Sequence, residues 1–464
     1  MTPFSLDAYN LFHAGALAFA DIERTGIKVD VSYLKQQYVS LTTQITNAEK
    51  ALWKMKEMRE WKSRFRDKTN TDSTTQLSAI LFKVLNYKPT KATARGNAAV
   101  DDEVLRRIGT PFTKTILAKR KLTKVRDTYI TGLLREQTDG FLHPSFNLHM
   151  VQTFRSSSDG PNFQNIPVRD PEQGGVIRRA IIPHNPTDII GEIDFGAIEV
   201  RVAACYHKDP TMLAYLNDPT KDLHREMACE CFLLEPGQVT KEIRNTAKGG
   251  FVFAEFYGSY FELVGPSLWA QSVDLPLLGR SLRDWLVGKG IRELGKMEGS
   301  VTGGKRWPTP GSFLEHIQKI ERHFWEVRFP VYDQWRRDWY NAYLERGWFD
   351  TLTGFRCQGP MRKNEVINYG VQGSAFHVLL WSMTKLHQWL KANEMESKIV
   401  GQIHDSILFN LHPDELGTVL KRARQIMCVD VRKHWPWIIT PLVVETELAP
   451  AGASWNEKRK QEET

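Results

Sequence analysis

Apolar positions along the chain change their period several times, and each change marks an element. Over 31–58 (VSYLKQQYVSLTTQITNAEKALWKMKEM) they recur at helical spacing, and 1–65 as a whole is rich in helix formers. The stretches 66–75 (RDKTNTDSTT) and 89–101 (PTKATARGNAAVD) are polar, turn-rich breaks, and helical patterning returns over 102–136. Residues 137–167 read as loop, with Asp159-Gly160-Pro161-Asn162 a strong turn signal. TDIIGEIDF (187–195) is an apolar run short enough for a buried strand, and a helical AIEVRVAACYH follows at once. Residues 221–258 read as helical and basic, 259–312 as a Gly- and Pro-rich insertion, and 313–346 as an aromatic, charged helix. KIVGQIHDSILFNL (398–411) reads as two short strands joined by a tight turn at His404-Asp405. The polar tail 456–464 is expected to fray.

Length and composition narrow this picture. A chain of 464 residues exceeds one ordinary core, so two or more subdomains are expected. No apolar run approaches the roughly 18–20 residues of a membrane helix, and the N-terminus lacks the basic and apolar regions of a signal peptide. Five cysteines, odd in number and without zinc-type spacing, read as reduced thiols of a cytoplasmic protein. The net charge of +8 suits a polyanionic partner without identifying one. AKRKLTKVR (118–126) is cation-rich and RRDWY (336–340) mixes cations with aromatics, and each suits either a phosphate backbone or a solvated helix face.

The candidate chemistry lies at the ends of two apolar strands, at Asp194 and Asp405. Strand-end carboxylates brought together repel one another unless a divalent cation intervenes, and oxygen-only ligation is the Mg²⁺ pattern. Alone, the pair reads equally as two ordinary strand-cap aspartates. In RNTAKGGFVFAEFYG (244–258), Arg244 and Lys248 stand four apart on one helical face, where they could grip a triphosphate. The aromatics that follow, Phe251, Phe253, Phe256 and Tyr257, could stack on a base or pack a core.

These residues resemble the family A DNA polymerases, and the likeness covers nearly the whole chain. Asp194-Phe195-Gly196-Ala197-Ile198-Glu199-Val200-Arg201 is similar to the family's D-Y-S-Q-I-E-x-R. Arg244-x3-Lys248 leading to Tyr257-Gly258 is similar to its fingers-helix motif, and His404-Asp405-Ser406 to its H-D-E. Thr153-Phe154-Arg155 with Ser157-Ser158 and Pro161-Asn162-Phe163-Gln164-Asn165-Ile166-Pro167 resembles T-G-R-x-S-S…P-N-L-Q-N-I-P. Asp222-Leu223-His224 resembles D-x-H, and Asn368-x3-Gln372-Gly373 resembles N-x3-Q-G.

The resemblance implies an α+β right-hand fold, with a mixed-sheet palm and mainly helical thumb and fingers. Residues 1–29 would be a lead-in, 30–139 the thumb, 140–223 the first part of the palm, 224–346 the fingers with an insertion near 259–312, and 347–464 the rest of the palm and the tail. It implies DNA-directed DNA polymerase activity, in which a primer 3′-hydroxyl attacks a dNTP and pyrophosphate leaves. Asp194 and Asp405, with the Phe195 carbonyl, would hold two Mg²⁺ ions, for which Mn²⁺ can substitute, and Lys248 would join them in catalysis. Glu199 would exclude a 2′-hydroxyl. His224, Arg244, Lys248, Phe253 and Tyr257 would bind the dNTP, and Arg155, Asn162, Gln164, Asn368, Gln372 and His404 the primer–template. The implied partners are primer–template DNA and dNTPs, with room for a separate exonuclease, helicase or processivity factor, and the implied state is a monomer.

The sequence also departs from the family pattern. Lys248 and Tyr257 are nine apart, one more than usual, which would turn everything beyond by about 100° unless a π-bulge or a local break absorbs it. Ser406 replaces a carboxylate, and Phe154 stands where the family has Gly, so a different loop is expected before Arg155. Polymerase-like sequence begins within the first 30 residues, so neither a proofreading exonuclease nor a 5′ nuclease is expected, and the compactness points to a phage or viral source. The rival readings are a single-subunit RNA polymerase and a catalytically dead DNA-binding scaffold.

Overall fold

The structure is a computed structural model that describes residues 2–89, 91–93, 96, 98–167, 171–300 and 305–461. Helix α1 (Leu6–Thr25) begins where the Ser5 side chain accepts the Ala8 N–H, and it buries Leu11, Phe19 and Ile22. Helix α2 (Val31–Trp53) begins at Asp30, whose carboxylate accepts the Tyr33 N–H at 2.8 Å. Such caps satisfy backbone donors that a helix start leaves open. Beyond α2, the helices of residues 52–117 form a small core of their own around Leu52, Trp61, Leu81, Phe112 and Ile116.

Strand β1 (Ile189–Phe195) runs into a turn in which Ala197 takes a φ of 53°, and α3 (Ile198–His207) follows. Helices α4 (Leu223–Phe232) and α5 (Lys241–Ala247) are capped by Asp222 and Thr240. Helix α6 (Pro330–Arg346) starts on proline, and its Val331 and Tyr332 N–H groups are accepted by the fully buried Asp209. That carboxylate also caps the helix Pro210–Asn217, so one buried charge satisfies two helix starts. The described residues of 259–312 include the helices Phe261–Gln271 and Leu282–Gly288 and two antiparallel strand pairs. Gly279 and Gly290 lie in turns at positive φ, while Val264, Leu268, Leu277, Leu282 and Leu286 sink into the same core as Phe251 and Phe324.

Helix α7 (Lys363–Ala392) is the central pillar, and strands β2 (Lys398–Ile403), β3 (Ser406–Leu411), β4 (Val444–Leu448) and β5 (Arg459–Lys460) complete the sheet. The strand order is β2-β3-β1-β4-β5. The α+β class is as expected, but the sheet is antiparallel at every pairing rather than mixed. This direction matters. Asp194 lies near the C-terminal end of β1 and Asp405 just before the start of β3, so only antiparallel neighbours bring both to the same end.

The two faces of the sheet are buried differently. Ile193, Phe195, Ile407 and Phe409 share one core with Phe376, Leu379 and Met383 of α7. On the other face Ile190 and Leu408 join Ile166, Ile181 and Trp455. Each such side chain contributes roughly 1.5–3 kcal/mol through burial, so a register slip that swapped the faces would be prohibitive. The tail is tied down rather than frayed, since Trp455 is buried and β5 pairs with β4; residues 462–464 of that segment lie outside the described ones.

Candidate active site

The register of the sheet builds the centre of the site. Asp194 is directly opposite Ser406 on one side and Glu445 on the other, and the Phe195 N–H donates to the Asp405 carbonyl at 3.2 Å. Asp405 sits in the two-residue turn between β2 and β3, where His404 takes a φ of 50°. Neither aspartate carboxylate has a hydrogen-bond or ion-pair partner among the described residues. Desolvation pushes the Asp194 pKa up to about 7, reinforced by Asp405, Glu192 and Glu445 as like charges. Desolvation also raises Asp405, opposed by Arg155 and His404. Two unpartnered carboxylates at one sheet end, offering only oxygen donors, fit a hard divalent cation.

Asp222 organises the cationic side of the site. Its Oδ1 caps α4 by accepting the Arg225 N–H, and its Oδ2 accepts Arg244 Nε at 2.7 Å. One carboxylate therefore joins α4, which carries His224, to α5, which carries Arg244. His224 is pushed down to about 4 by desolvation and then by Arg244 and Lys248, so it is neutral at pH 7.

Residues Lys248–Phe253 form a π-helical turn, which takes up the extra residue before Tyr257. The turn also sorts the aromatics. Phe251 and Phe256 are buried at 0% and 7% exposure, whereas Tyr257 is 44% exposed. Phe253 lies between these extremes, with the Lys248 Nζ 5.3 Å from its ring centre and His224 edge-on at 5.6 Å. Phe253 and Tyr257 are thus the two rings with a face to offer.

Glu199, in the first turn of α3, accepts from the Tyr257 hydroxyl and pairs with Arg155. These contacts link three segments far apart in sequence. A cavity of about 30 Å³ is lined by Glu199, Phe253, Tyr257, Asn368 and Gln372, among others. Asn368 donates to the Tyr257 carbonyl at 3.2 Å, and Asn364 to that of Gly258 at 3.1 Å. Both tether α7 to the aromatic end of the π-turn.

Some expectations need correcting. Gln164, expected against DNA, is buried, and its amide donates to Ser156 Oγ at 2.8 Å and Gln402 Oε1 at 2.6 Å. Asn162 lies at the edge of this network, accepting from Ser158 at 3.5 Å. Phe154, where the family has Gly, takes a glycine-like φ of 60°, and its ring is buried against Phe355 and Phe12. That conformation costs a non-glycine residue of order 1 kcal/mol, which aromatic burial offsets. The basic clusters are largely spent internally: Lys119 pairs with Glu49 and Asp72, and Arg336 and Arg337 pair with Asp333.

One residue escaped sequence reasoning. Gln402 accepts from Ser156 and Gln164, and donates to the His404 carbonyl at 2.6 Å. It fastens the loop that carries Arg155 to the turn that carries Asp405. Its signal was a lone amide inside the apolar strand KIVGQI.

The chain is similar to known proteins. The model of DNA polymerase family A matches residues 31–265 and 345–457. DNA polymerase I of Geobacillus stearothermophilus is 26% identical over 429 residues, covering 89% of this chain and 42% of the relative. The thermostable DNA polymerase I of Thermus thermophilus is 27% identical over 453 residues, covering 94% and 46%. The chain therefore spans less than half the length of these relatives. Among solved structures, the POL domain of Pol1 from M. smegmatis, in complex with DNA primer-template and dNTP, is similar with a TM-score of 0.73 and 26% identity, over 96% of this chain and 70% of that one.

Proposed function

The chain belongs to DNA polymerase family A, and from that premise we propose that it extends a primer 3′-hydroxyl along a DNA template with dNTPs, releasing pyrophosphate. The observation that carries this reading is the meeting, at one sheet end, of two unpartnered aspartates with an Arg155–Glu199–Tyr257 cluster under a cationic helix. In this reading 30–139 is the thumb, 140–223 and 347–464 form the palm, and 224–346 is the fingers.

Asp194 and Asp405, with the Phe195 carbonyl, would hold two Mg²⁺ ions. Such ions lower the pKa of an attacking hydroxyl and neutralise charge on the leaving group. Arg244, Lys248 and the neutral His224 would grip the triphosphate, whose oxygens gain charge during transfer. Lys248 would also neutralise charge on the departing pyrophosphate. Phe253 and Tyr257 offer ring faces to the incoming base, and Glu199 stands where a 2′-hydroxyl would meet a carboxylate already engaged by Arg155 and Tyr257. Arg155, Gln372 and His404 contact the primer–template, with Asn162 and Asn368 at the margins. Minor-groove acceptors occur at every base pair, so such contacts report pairing geometry rather than sequence. The proposed setting is the cytoplasm, and the proposed working state is a monomer on primed DNA.

The test is primer extension with Mg²⁺ by the wild type and by Asp405→Ala. Extension by the wild type alone, with dNTPs preferred over rNTPs, supports the reading. Equal extension by both overturns the aspartate assignment, and preferred use of rNTPs overturns the choice of substrate.

A further inference from the structure

Four carboxylates share one face of two neighbouring strands. Glu192 and Asp194 alternate along β1, while Glu447 and Glu445 are their direct partners on β4. Glu192 lies about 7 Å from Asp194 at the rise of a strand. An uncompensated patch of this kind would draw divalent cations over its whole length, not only to the Asp194–Asp405 end.

The C-terminal segment opposes that patch residue by residue. Lys458 pairs with Glu192 and, at 2.6 Å, with Glu447, while Lys460 on β5 pairs with Glu445 at 2.9 Å. The Trp455 indole N–H also donates to Glu192 at 2.9 Å. Lys458 and Glu192 are largely enclosed, at 14% and 13% side-chain exposure, so water screens this pair weakly. Asp194 feels Glu192 and Glu445 as like charges and Lys458 as the opposing one.

We propose that Lys458 and Lys460 are positioning residues for nucleotidyl transfer, confining divalent-cation binding to Asp194 and Asp405 by occupying the flanking glutamates. This rests on the reading of those two aspartates as metal ligands. Ser406 leaves the β3 side of Asp194 without a carboxylate, and the lysines hold the carboxylates on its β4 side in ion pairs.

The test is direct Mn²⁺ binding to the metal-depleted full chain, followed by electron paramagnetic resonance of the free ion, alongside the Mg²⁺ midpoint of primer extension. Lys458→Gln is expected to bind Mn²⁺ roughly threefold more tightly or with added stoichiometry, the effect of losing one cation about 10 Å from a dication. Lys460→Gln, on an exposed side chain that tolerates substitution, should shift binding the same way but less. Lys458→Arg and the Glu192→Gln/Lys458→Gln pair should return to wild type. Unchanged Mn²⁺ affinity and stoichiometry in both single lysine variants, with Asp194→Asn still weakened, overturns the inference alone. Unchanged binding in Asp194→Asn overturns the ligand assignment and the inference with it.

Discussion

Glu255 offers a sharp test of the electrostatics of the helical body. It lies just beyond the π-turn, two residues before Tyr257, and is fully buried. Its Oε2 accepts the Trp325 indole N–H at 2.9 Å, while Oε1 has no partner among the described residues. Desolvation pushes its pKa from the ordinary 4.5 up to about 8, with Glu321 adding to the rise. The folded value lies above the unfolded one, so the acid's contribution to stability is fully present below pH 4.5 and is lost as pH rises through 8. One pKa unit is worth about 1.4 kcal/mol, so folding weakens by roughly 1 kcal/mol per pH unit across this window. Glutamine keeps the acceptor for Trp325 and cannot ionise. It leaves an amide donor where Oε1 stood, but that cost does not vary with pH. The wild type and Glu255→Gln are therefore expected to diverge by roughly 2–3 kcal/mol between pH 5 and 8, with the variant favoured at the alkaline end. The assay is urea denaturation of both proteins at pH 5, 6, 7 and 8, read by tryptophan fluorescence. Subtracting the curves cancels the titrating groups that do not couple to Glu255. A stability difference constant across the four pH values would refute the buried acid.

Three further outcomes follow from the site. Asp405→Asn should cut primer extension by about a thousandfold or more while leaving the unfolding midpoint unchanged or raised, because an enclosed charge is lost; retained extension at saturating Mg²⁺ would contradict it. Glu199→Ala should reduce preference for dNTPs over rNTPs by roughly 10–100-fold, measured as the ratio of kcat/KM values, and an unchanged ratio would remove Glu199 from sugar selection. Gln402→Leu should cost about 2–3 kcal/mol in chemical denaturation, because Ser156, Gln164 and the His404 carbonyl each lose a buried partner; a change below half a kcal/mol would mean that water replaces the amide.

Local pattern in the sequence determined a good deal. The apolar runs at 189–195 and 398–411 are strands, and the turn at His404-Asp405 is where two polar residues interrupt them. The surplus residue after Lys248 called for either a π-bulge or a break, because adding a residue to a helix otherwise rotates every side chain beyond it, and the structure has a π-turn. These features were legible because they depend on neighbours within a few positions. Tertiary structure alone decided what depends on partners hundreds of residues away. Antiparallel pairing put Asp194 and Asp405 at one end of the sheet; packing buried Phe251 and Phe256 and left Phe253 and Tyr257 available; and Gln402 turned Gln164 from a surface amide into a buried one. The basic residues at 119 and 336–337 suited either a phosphate backbone or a solvated helix face, and in the fold Glu49, Asp72 and Asp333 pair with them. A sequence shows which charges exist, but whether each is spent inside the fold or left for a ligand depends on the partners that folding brings to it.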